Sequence, residues 1–145
     1  TIVDSRYSVR SFSGVDYVKQ NDAELAAAFE RHFDTKDALE EAARELIAEL
    51  GAKGALITRG EKGMMLFLAD GARHEIPVSD RSEVYDVSGA GDTCVAAFIL
   101  ALAGGALPLA AAQLSNIASG IAVRKFGTAT VSAAELTRKV RELSV

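Results

Sequence analysis

A glycine-rich stretch between two carboxylates is the part of the chain whose residue types and spacing are best suited to chemistry. Residues 85–93 read YDVSGAGDT, with Gly89 and Gly91 one residue apart and Asp92 directly after them. If a helix begins at Ala90 or Gly91, its free N–H groups and the positive end of its dipole favour a bound anion such as phosphate. The same dipole stabilises Asp92 as a carboxylate, which can accept a proton from a hydroxyl group. An anion site beside a base is what phosphoryl transfer to an alcohol requires.

Three other interpretations of this stretch can be weighed on sequence. A dinucleotide fingerprint needs G-x-G-x-x-G and an acidic residue about 20 positions later. Cys94 occupies the third glycine position, and residues 110–114 contain no acid, so this interpretation is disfavoured. A Walker P-loop, G-x-x-x-x-G-K-[ST], does not occur in the chain. An ordinary strand-to-helix turn, whose glycines only permit unusual backbone angles, stays an alternative on this stretch alone.

The segments that must position this loop alternate between strands and helices. The sequence pattern predicts strands at 1–3, 15–18, 55–58, 64–68 and 73–78, and helices at 23–29, from 34 or 35 to 50, at 95–102, from Pro108 toward Gly127, and from a Ser132–Glu135 capping box to 143. Asp70-Gly71 predicts a type I′ turn between the fourth and fifth strands. The run 95–102 is apolar on every side, which is typical of a fully buried helix. We therefore predict a single α/β domain without repeats or linkers.

The composition limits the partners that the chain can have. Its 145 residues, 49% hydrophobic and 25% charged, fit one domain with a buried core, and no apolar run reaches the ~18 residues of a membrane span. The net charge of −4 gives no basic surface that would attract nucleic acid. Cys94, the single cysteine, together with His32 and His74 offers no zinc-ligand spacing. We expect a cytoplasmic protein with a small-molecule substrate and no nucleic-acid or membrane partner.

The chain resembles the ribokinase-like, or PfkB, family of carbohydrate kinases. Residues 86–92, DVSGAGD, followed by AAFI at 96–99, fit the C-terminal signature of that family at every constrained position. The resemblance implies the C-terminal portion of a ribokinase-like three-layer α/β/α fold, with ATP and Mg²⁺ as cofactors. It also implies that Asp92 is the catalytic base and that the transferred phosphoryl group is bound by the backbone amides of Gly89, Ala90 and Gly91.

A second motif of the family lies near the amino end. Residues 21–24, NDAE, match its N-x-x-E element, in which Asn21 and Glu24 help to place the magnesium ion and the phosphates. Gln20 stands where a proline is usual in the family. Taken alone, N-x-x-E is more often a helix cap. Both roles can coexist, because a capped helix start also presents amides that favour phosphate.

A third group of residues is expected on the nucleotide side. TRGEKG at 58–63 resembles the T-x-G-x-x-G nucleotide turn of the family, with Thr58, Gly60 and Gly63 at the motif positions. Taken alone, such a stretch is an ordinary loop. Asn116 and the Gly127 turn match the adenine-side elements, although Asn116 is equally well explained as a polar residue on a helix surface.

The resemblance also implies a site for a monovalent cation beside the anion-binding loop. Many members of the family hold such an ion with backbone and side-chain oxygens, and the matching positions here are Asp86, Ser88 and Gly127. A shell made only of oxygen atoms suits a hard cation such as K⁺. We therefore expect K⁺ as a further cofactor.

Within the family, three stretches are most similar to the heptose-phosphate kinases: residues 3–6, 83–93 and 127–132. Those enzymes phosphorylate D-glycero-D-manno-heptose 7-phosphate at the anomeric oxygen for ADP-heptose synthesis. Another PfkB-type sugar or nucleoside kinase is the nearest alternative. A nucleotide-binding module without catalysis is a third, which the intact Asp92 argues against.

The resemblance covers nearly the whole chain but only the C-terminal half of a complete kinase. In the family, the sugar-binding residues and the lid strands come mainly from the N-terminal half, and the lid makes many members dimers. Heptose-phosphate kinases are also often one domain of a bifunctional protein. The resemblance therefore allows a homodimer and a fused nucleotidyltransferase domain in the full-length protein. The chain opens at Thr1 directly with a strand-like segment. We therefore expect a fragment of a longer polypeptide, with little kinase activity by itself.

Overall fold

The computed structural model describes residues 1–79 and 84–143. The chain divides into two compact units, Thr1–Glu75 and Ile76–Val145. Within the described residues, no helix is long and apolar enough to cross a membrane.

The first unit is built on a mixed sheet, which has five strands in the part of the chain that the structure describes. The strands lie in sequence order: β1 (Ile2–Asp4), β2 (Tyr17–Asn21), β3 (Gly54–Thr58), β4 (Met64–Leu68) and β5 (Arg73–Ile76). The first three are parallel, and β4 runs antiparallel to β3. The carboxyl ends of the three parallel strands therefore meet at one edge of the sheet, which is where α/β proteins commonly bind ligands.

Two helices connect β2 to β3: α1 (Asp22–Phe29) and α2 (Lys36–Leu50). The Thr35 hydroxyl accepts a hydrogen bond from Ala38 N at 3.2 Å and begins α2, and Gly51, with a φ of 64°, ends it. The apolar positions predicted from helical spacing are all buried, which confirms the prediction for α2: Leu39, Ala42, Ala43, Leu46, Ile47 and Leu50. They pack in one core with residues of the central strands, including Val18 and Ala55.

The hairpin between β4 and β5 differs from the prediction. Gly71 has a φ of 96°, but Asp70 does not share a positive φ, which a type I′ turn requires at both central residues. Gly71 N donates to Leu68 O, and Leu68 N donates to Ala72 O, so the loop has three residues rather than two. The predicted type I′ turn is therefore wrong, because a three-residue loop needs a left-handed residue only at its last position. The strand β5 also ends at Ile76 instead of 78, since Pro77 cannot donate to the ladder.

The second unit consists of helices in its described residues: α3 (Ala90–Ala103), α4 (Pro108–Ala122) and α5 (Ala133–Leu143). Pro108 occupies the first turn of α4, as predicted. Small buried side chains on α4 let α3 approach it closely: Ala111, Ala112, Ser115 and Ala118. The capping box at α5 is present, because Glu135 accepts from Ser132 N at 2.8 Å and Glu135 N donates to the Ser132 hydroxyl at 3.3 Å.

The prediction that α3 is buried on every side is wrong for this structure. Its buried residues are Cys94 and Phe98, whereas Leu100 is 70% exposed. An apolar sequence allows a helix to be buried on every side, but each face is buried only if another element packs against it. Within the described residues of the second unit, α4 is the main helix that packs against α3.

We expect Leu46→Ala to destabilise the chain by about 2–5 kcal/mol, because the side chain is fully buried between α2 and the sheet and its removal leaves a cavity. The urea midpoint of unfolding, followed by circular dichroism, measures this change. Leu100→Ala is the matched control, and at an exposed position it should alter stability by about 0.5 kcal/mol or less. Equal midpoints for the two variants would contradict the assignment of the core.

Candidate active site

The glycine-rich loop leads directly into α3. Gly89 is the N-cap of the helix, with φ 76° and ψ 0°, a left-handed conformation that glycine adopts without strain. Ala90 N donates to Val87 O at 3.2 Å, and Thr93 N donates to Gly89 O at 2.9 Å. Among the described residues, the N–H groups of Gly91 and Asp92 have no hydrogen-bond acceptor. These free amides, at the positive end of the α3 dipole, form a place where an anion can bind.

Asp92 lies in the first turn of α3, and its side chain is exposed to solvent. The carboxylate is therefore adjacent to the free amides and accessible to a hydroxyl group from outside the helix. The sequence-based prediction placed the anion on the amides of Gly89, Ala90 and Gly91. Because the Ala90 amide already has a carbonyl partner, the donors that the structure leaves available include Gly91 and Asp92.

Asp86 connects the loop before α3 to the turn after α4. Its Oδ1 accepts from Ser88 N at 2.8 Å, and its Oδ2 accepts from Gly127 N at 3.1 Å. The hydrogen bonds from Ser88, and then the one from Gly127 N, lower the pKa of Asp86 below its ordinary value. The structure thus brings together the three residues that the resemblance assigned to a monovalent cation.

Thr128 lies beside the glycine-rich loop, although the sequence analysis assigned it no role of its own. A β-carbon on Gly89 would lie 3.8 Å from Thr128 Cγ2, so the turn after α4 packs directly against the start of α3. The Thr128 side chain is exposed on this side of the unit. The sequence signals were its position next to Gly127 and its place in the stretch 127–132. Neither predicts the contact with Gly89, because the two segments lie about 40 residues apart in the chain.

Asn116 is buried rather than placed on a helix surface. It is 8% exposed, and its Nδ2 donates to Pro77 O at 2.7 Å. Its carbonyl accepts from the Ser79 hydroxyl at 3.4 Å, and a β-carbon on Gly120 would lie 2.7 Å from that same hydroxyl. In this structure the Asn116 amide anchors residues 77–79 on α4.

In the first unit, Asn21 and Glu24 form a complete capping box. Glu24 N donates to Asn21 Oδ1 at 2.7 Å, and Asn21 N donates to Glu24 Oε2 at 2.9 Å. The other carboxylate oxygen of Glu24 faces Arg6 Nε at 3.9 Å. Gln20, before the box, is fully buried, and its Nε2 donates to Ser5 O at 3.2 Å and Lys19 O at 2.7 Å.

The turn 58–63 lies beside this capping box at the carboxyl edge of the sheet. Thr58 of β3 is in register with Asn21 of β2. Gly60 and Gly63 have φ values of 56° and 79°, so both positions require the conformations that glycine permits. Arg59 N donates to Gly63 O at 2.8 Å and closes the turn. The structure therefore brings the N-x-x-E and T-x-G-x-x-G residues together within the first unit.

The carboxylates do not form a direct metal site in the described part of the chain. Residues 1–79 and 84–143 contain no group of three or more His, Cys, Asp or Glu side chains that could hold a metal ion. Glu24, the acidic residue of the N-x-x-E element, has one oxygen bonded to the helix cap and the other turned to Arg6. A magnesium ion near this position would be held through water or through phosphate oxygens.

The fold is similar to that of solved kinase structures. The tetrameric inhibited form of phosphofructokinase-2 from Escherichia coli aligns with 99% of this chain and 46% of its own, at a TM-score of 0.82 and 23% identity. A ribokinase from Thermotoga maritima aligns with 87% of this chain and 42% of its own, at a TM-score of 0.77 and 26% identity. The fold is therefore an α/β fold of the ribokinase type, as predicted.

Residues 5–135 match the model of the pfkB family of carbohydrate kinases, and the chain belongs to that family. The bifunctional protein HldE of Rhodospirillum rubrum is 44% identical over 134 residues, which are 92% of this chain and 27% of that protein. The bifunctional protein HldE of Coxiella burnetii is 45% identical over 113 residues, 78% of this chain and 24% of that protein. The chain thus spans about a quarter of the length of these relatives. The predicted family is confirmed. Glu83, part of the resemblance to heptose-phosphate kinases, lies outside the described residues.

The acid sensitivity of the turn after α4 can be tested at Glu135. Hydrogen bonds from Lys125, then from the Ser132 backbone and hydroxyl, lower the pKa of Glu135 from 4.5 to about 2. Its folded pKa lies below the unfolded value, so its stabilising effect is complete above pH 4.5 and is lost as the pH falls toward 2. The difference in melting temperature between the wild type and Glu135→Gln should therefore shrink from pH 6 to pH 3.

Thermal unfolding at several pH values measures this difference. Glu41→Gln removes an exposed carboxylate of α2 and controls for the change in net charge. A difference for Glu135→Gln that is constant from pH 6 to pH 3 would contradict the role of the Lys125–Glu135 contact.

Proposed function

We propose that this chain carries the ATP site and the catalytic base of a kinase that phosphorylates a sugar hydroxyl. The observation that supports it most directly is the first turn of α3, where the free amides of Gly91 and Asp92 lie beside the exposed Asp92 carboxylate. Phosphoryl transfer depends on positioning and on donors that offset charge on the transferred group. These two elements stand next to each other on one helix start.

In the proposed reaction, bound ATP supplies the γ-phosphoryl group and Mg²⁺ offsets its charge. The amides at the start of α3 bind the phosphoryl oxygens, and left-handed Gly89 allows them to approach without a β-carbon in the way. Asp92 accepts the proton of the attacking hydroxyl. Asn21 and Glu24 act through the capped start of α1, whose amides favour phosphate oxygens, and they would hold Mg²⁺ only through water.

The adenine-side and cation assignments are parts of the same proposal. Thr58, Gly60 and Gly63 form the nucleotide turn, and Gly127 lies on the adenine side, with Asn116 shaping that region from a buried position. Asp86 and Ser88 contribute oxygens to a K⁺ site. Each carboxylate oxygen of Asp86 accepts one backbone hydrogen bond, which leaves lone pairs that can contact a hard cation.

The substrate we propose for the complete protein is heptose 7-phosphate, phosphorylated at the anomeric oxygen. The identity of 44% to proteins named bifunctional protein HldE, together with the motif resemblance to heptose-phosphate kinases, supports this choice. The same relatives are more than three times as long as this chain, since 134 aligned residues make up 27% of the Rhodospirillum rubrum protein. This length accords with a fused nucleotidyltransferase domain and with sugar-binding and dimer-forming segments outside the chain. A ribokinase- or fructokinase-like specificity is the alternative substrate assignment.

Asp92→Asn in the complete protein should lower kcat by about 10²–10⁴-fold while ATP binding persists, because the amide cannot accept the hydroxyl proton. Formation of ADP in the presence of heptose 7-phosphate, ribose or fructose 6-phosphate measures both rate and specificity. Asp70→Asn, in the exposed β4–β5 loop, is the matched control and should leave kcat unchanged.

A near wild-type rate for Asp92→Asn would refute its role as base. ATP binding without any turnover in the wild-type complete protein would favour a binding module. If the wild type phosphorylates ribose but not heptose 7-phosphate, the substrate assignment is refuted while the proposed kinase activity stands. The 145-residue chain by itself should turn over well below the roughly 1–100 s⁻¹ of complete kinases.

A further inference from the structure

We infer that Asp86 is a positioning residue, whose carboxylate ties the loop before α3 to the turn at 126–128 and so holds the anion-binding amides in place before a ligand arrives. This inference rests on the proposed function of that loop. It differs from the expected role of Asp86 as a cation ligand, because the positioning role needs no ion.

The carboxylate of Asp86 has a different partner on each oxygen. One partner, Ser88 N, belongs to the residue directly before Gly89, the N-cap of α3. The other, Gly127 N, belongs to a segment 41 residues away in the chain. A single side chain therefore fixes the approach to the helix and joins it to the turn that packs on Gly89 through Thr128.

The backbone of Asp86 is itself held from a third side. Val123 O, at the carboxyl end of α4, accepts from Tyr85 N at 2.9 Å and from Asp86 N at 3.1 Å. Because its backbone is fixed on α4, the Asp86 carboxylate has little freedom to move away from its two donors, Ser88 N and Gly127 N. The loop is thus attached to α4 through its backbone and to the 126–128 turn through its carboxylate.

The neighbouring contact between the Tyr85 and Phe126 rings attaches the two segments less strongly than the Asp86 carboxylate does. The Tyr85 and Phe126 rings lie 5.0 Å apart and tilted, but the two residues are 54% and 81% exposed. Little apolar area is removed from water there, so the ring pair provides only part of the attachment. Hydrogen bonds to an ionised carboxylate are stronger than those between neutral groups, and they determine the spacing of the two segments.

Preorganised donors are what makes such a loop effective. Amides that already point at the phosphoryl position require no rearrangement when charge develops there, whereas a mobile loop must first be ordered. A carboxylate beside an anion site is electrostatically unfavourable for the anion. Its presence is explained if it orders the loop, since both oxygens are occupied by N–H donors of the loop and the turn.

The test is amide hydrogen exchange by NMR on the 145-residue chain, in buffer free of potassium and of nucleotide. Asp86→Ala should raise exchange at Ser88 and Gly127 by about tenfold or more and shift the amide resonances of Gly89, Ala90 and Gly91. Asp86→Asn keeps an acceptor oxygen for Ser88 N but places an NH₂ donor opposite Gly127 N. It should therefore raise exchange at Gly127 with a smaller effect at Ser88.

Asp70→Ala removes a comparable carboxylate-to-backbone bond, from Ala72 N to Asp70 Oδ1, in the exposed β4–β5 loop. It is the matched control and should leave the resonances of 86–91 unchanged. A titration with ATP then measures affinity, which should fall by about tenfold in Asp86→Ala. If Asp86→Ala does not fold, the exchange rates of Asp86→Asn decide whether Asp86 positions the loop.

Unchanged exchange at Gly127 and unchanged resonances at Gly89–Gly91 in Asp86→Ala or Asp86→Asn would overturn the inference. A difference that appears only after potassium is added would also overturn it, and would assign Asp86 to the cation instead. If the wild-type chain binds neither ATP nor inorganic phosphate, the proposed function fails, while the exchange rates in ligand-free buffer still decide the positioning role.

Discussion

The first turn of an α-helix carries amide groups that no carbonyl of the same helix can reach, and this constraint organises the second unit. At α3 the chain enters through left-handed Gly89, and the amides of Gly91 and Asp92 are left without an acceptor among the described residues. Such groups are costly when they are enclosed and useful when they face a ligand. The contacts from α4 and from the 126–128 turn keep them at the surface in a fixed arrangement.

The same constraint is met differently at α1. There the Asn21 side chain accepts a hydrogen bond from the backbone amide of Glu24, and the Glu24 side chain accepts one from the backbone amide of Asn21. A carboxylate oxygen that accepts from a backbone amide has less capacity to bind a metal directly. The two helix starts therefore differ in kind: one is closed by its own side chains and the other is open beside an acid.

Local features were predictable from the sequence, whereas features that depend on distant partners were not. The caps and the buried face of α2 follow from a spacing and a few residue types within one helix. The burial of α3 depends on which helices pack against it, and the β4–β5 turn depends on which residues of the two strands pair. The signature 86–92 predicted an anion-binding loop with a base, because the glycines and the acid are adjacent. The contact from Asp86 to Gly127 spans 41 residues and left no local pattern, so only the resemblance to the family grouped these two residues in advance.

Because Val123 O accepts two hydrogen bonds from the loop, the length of α4 determines where the loop is attached. Each residue of an α-helix turns the chain by about 100° and advances it by about 1.5 Å. One residue added within α4 would rotate the Val123 carbonyl away from Tyr85 and Asp86 and detach the loop from its support. The connection at 104–107 lies at the other end of α3, about 20 Å from Gly89 by the same rise per residue. A change of length at that connection leaves the loop attached, whereas a change of length within α4 does not.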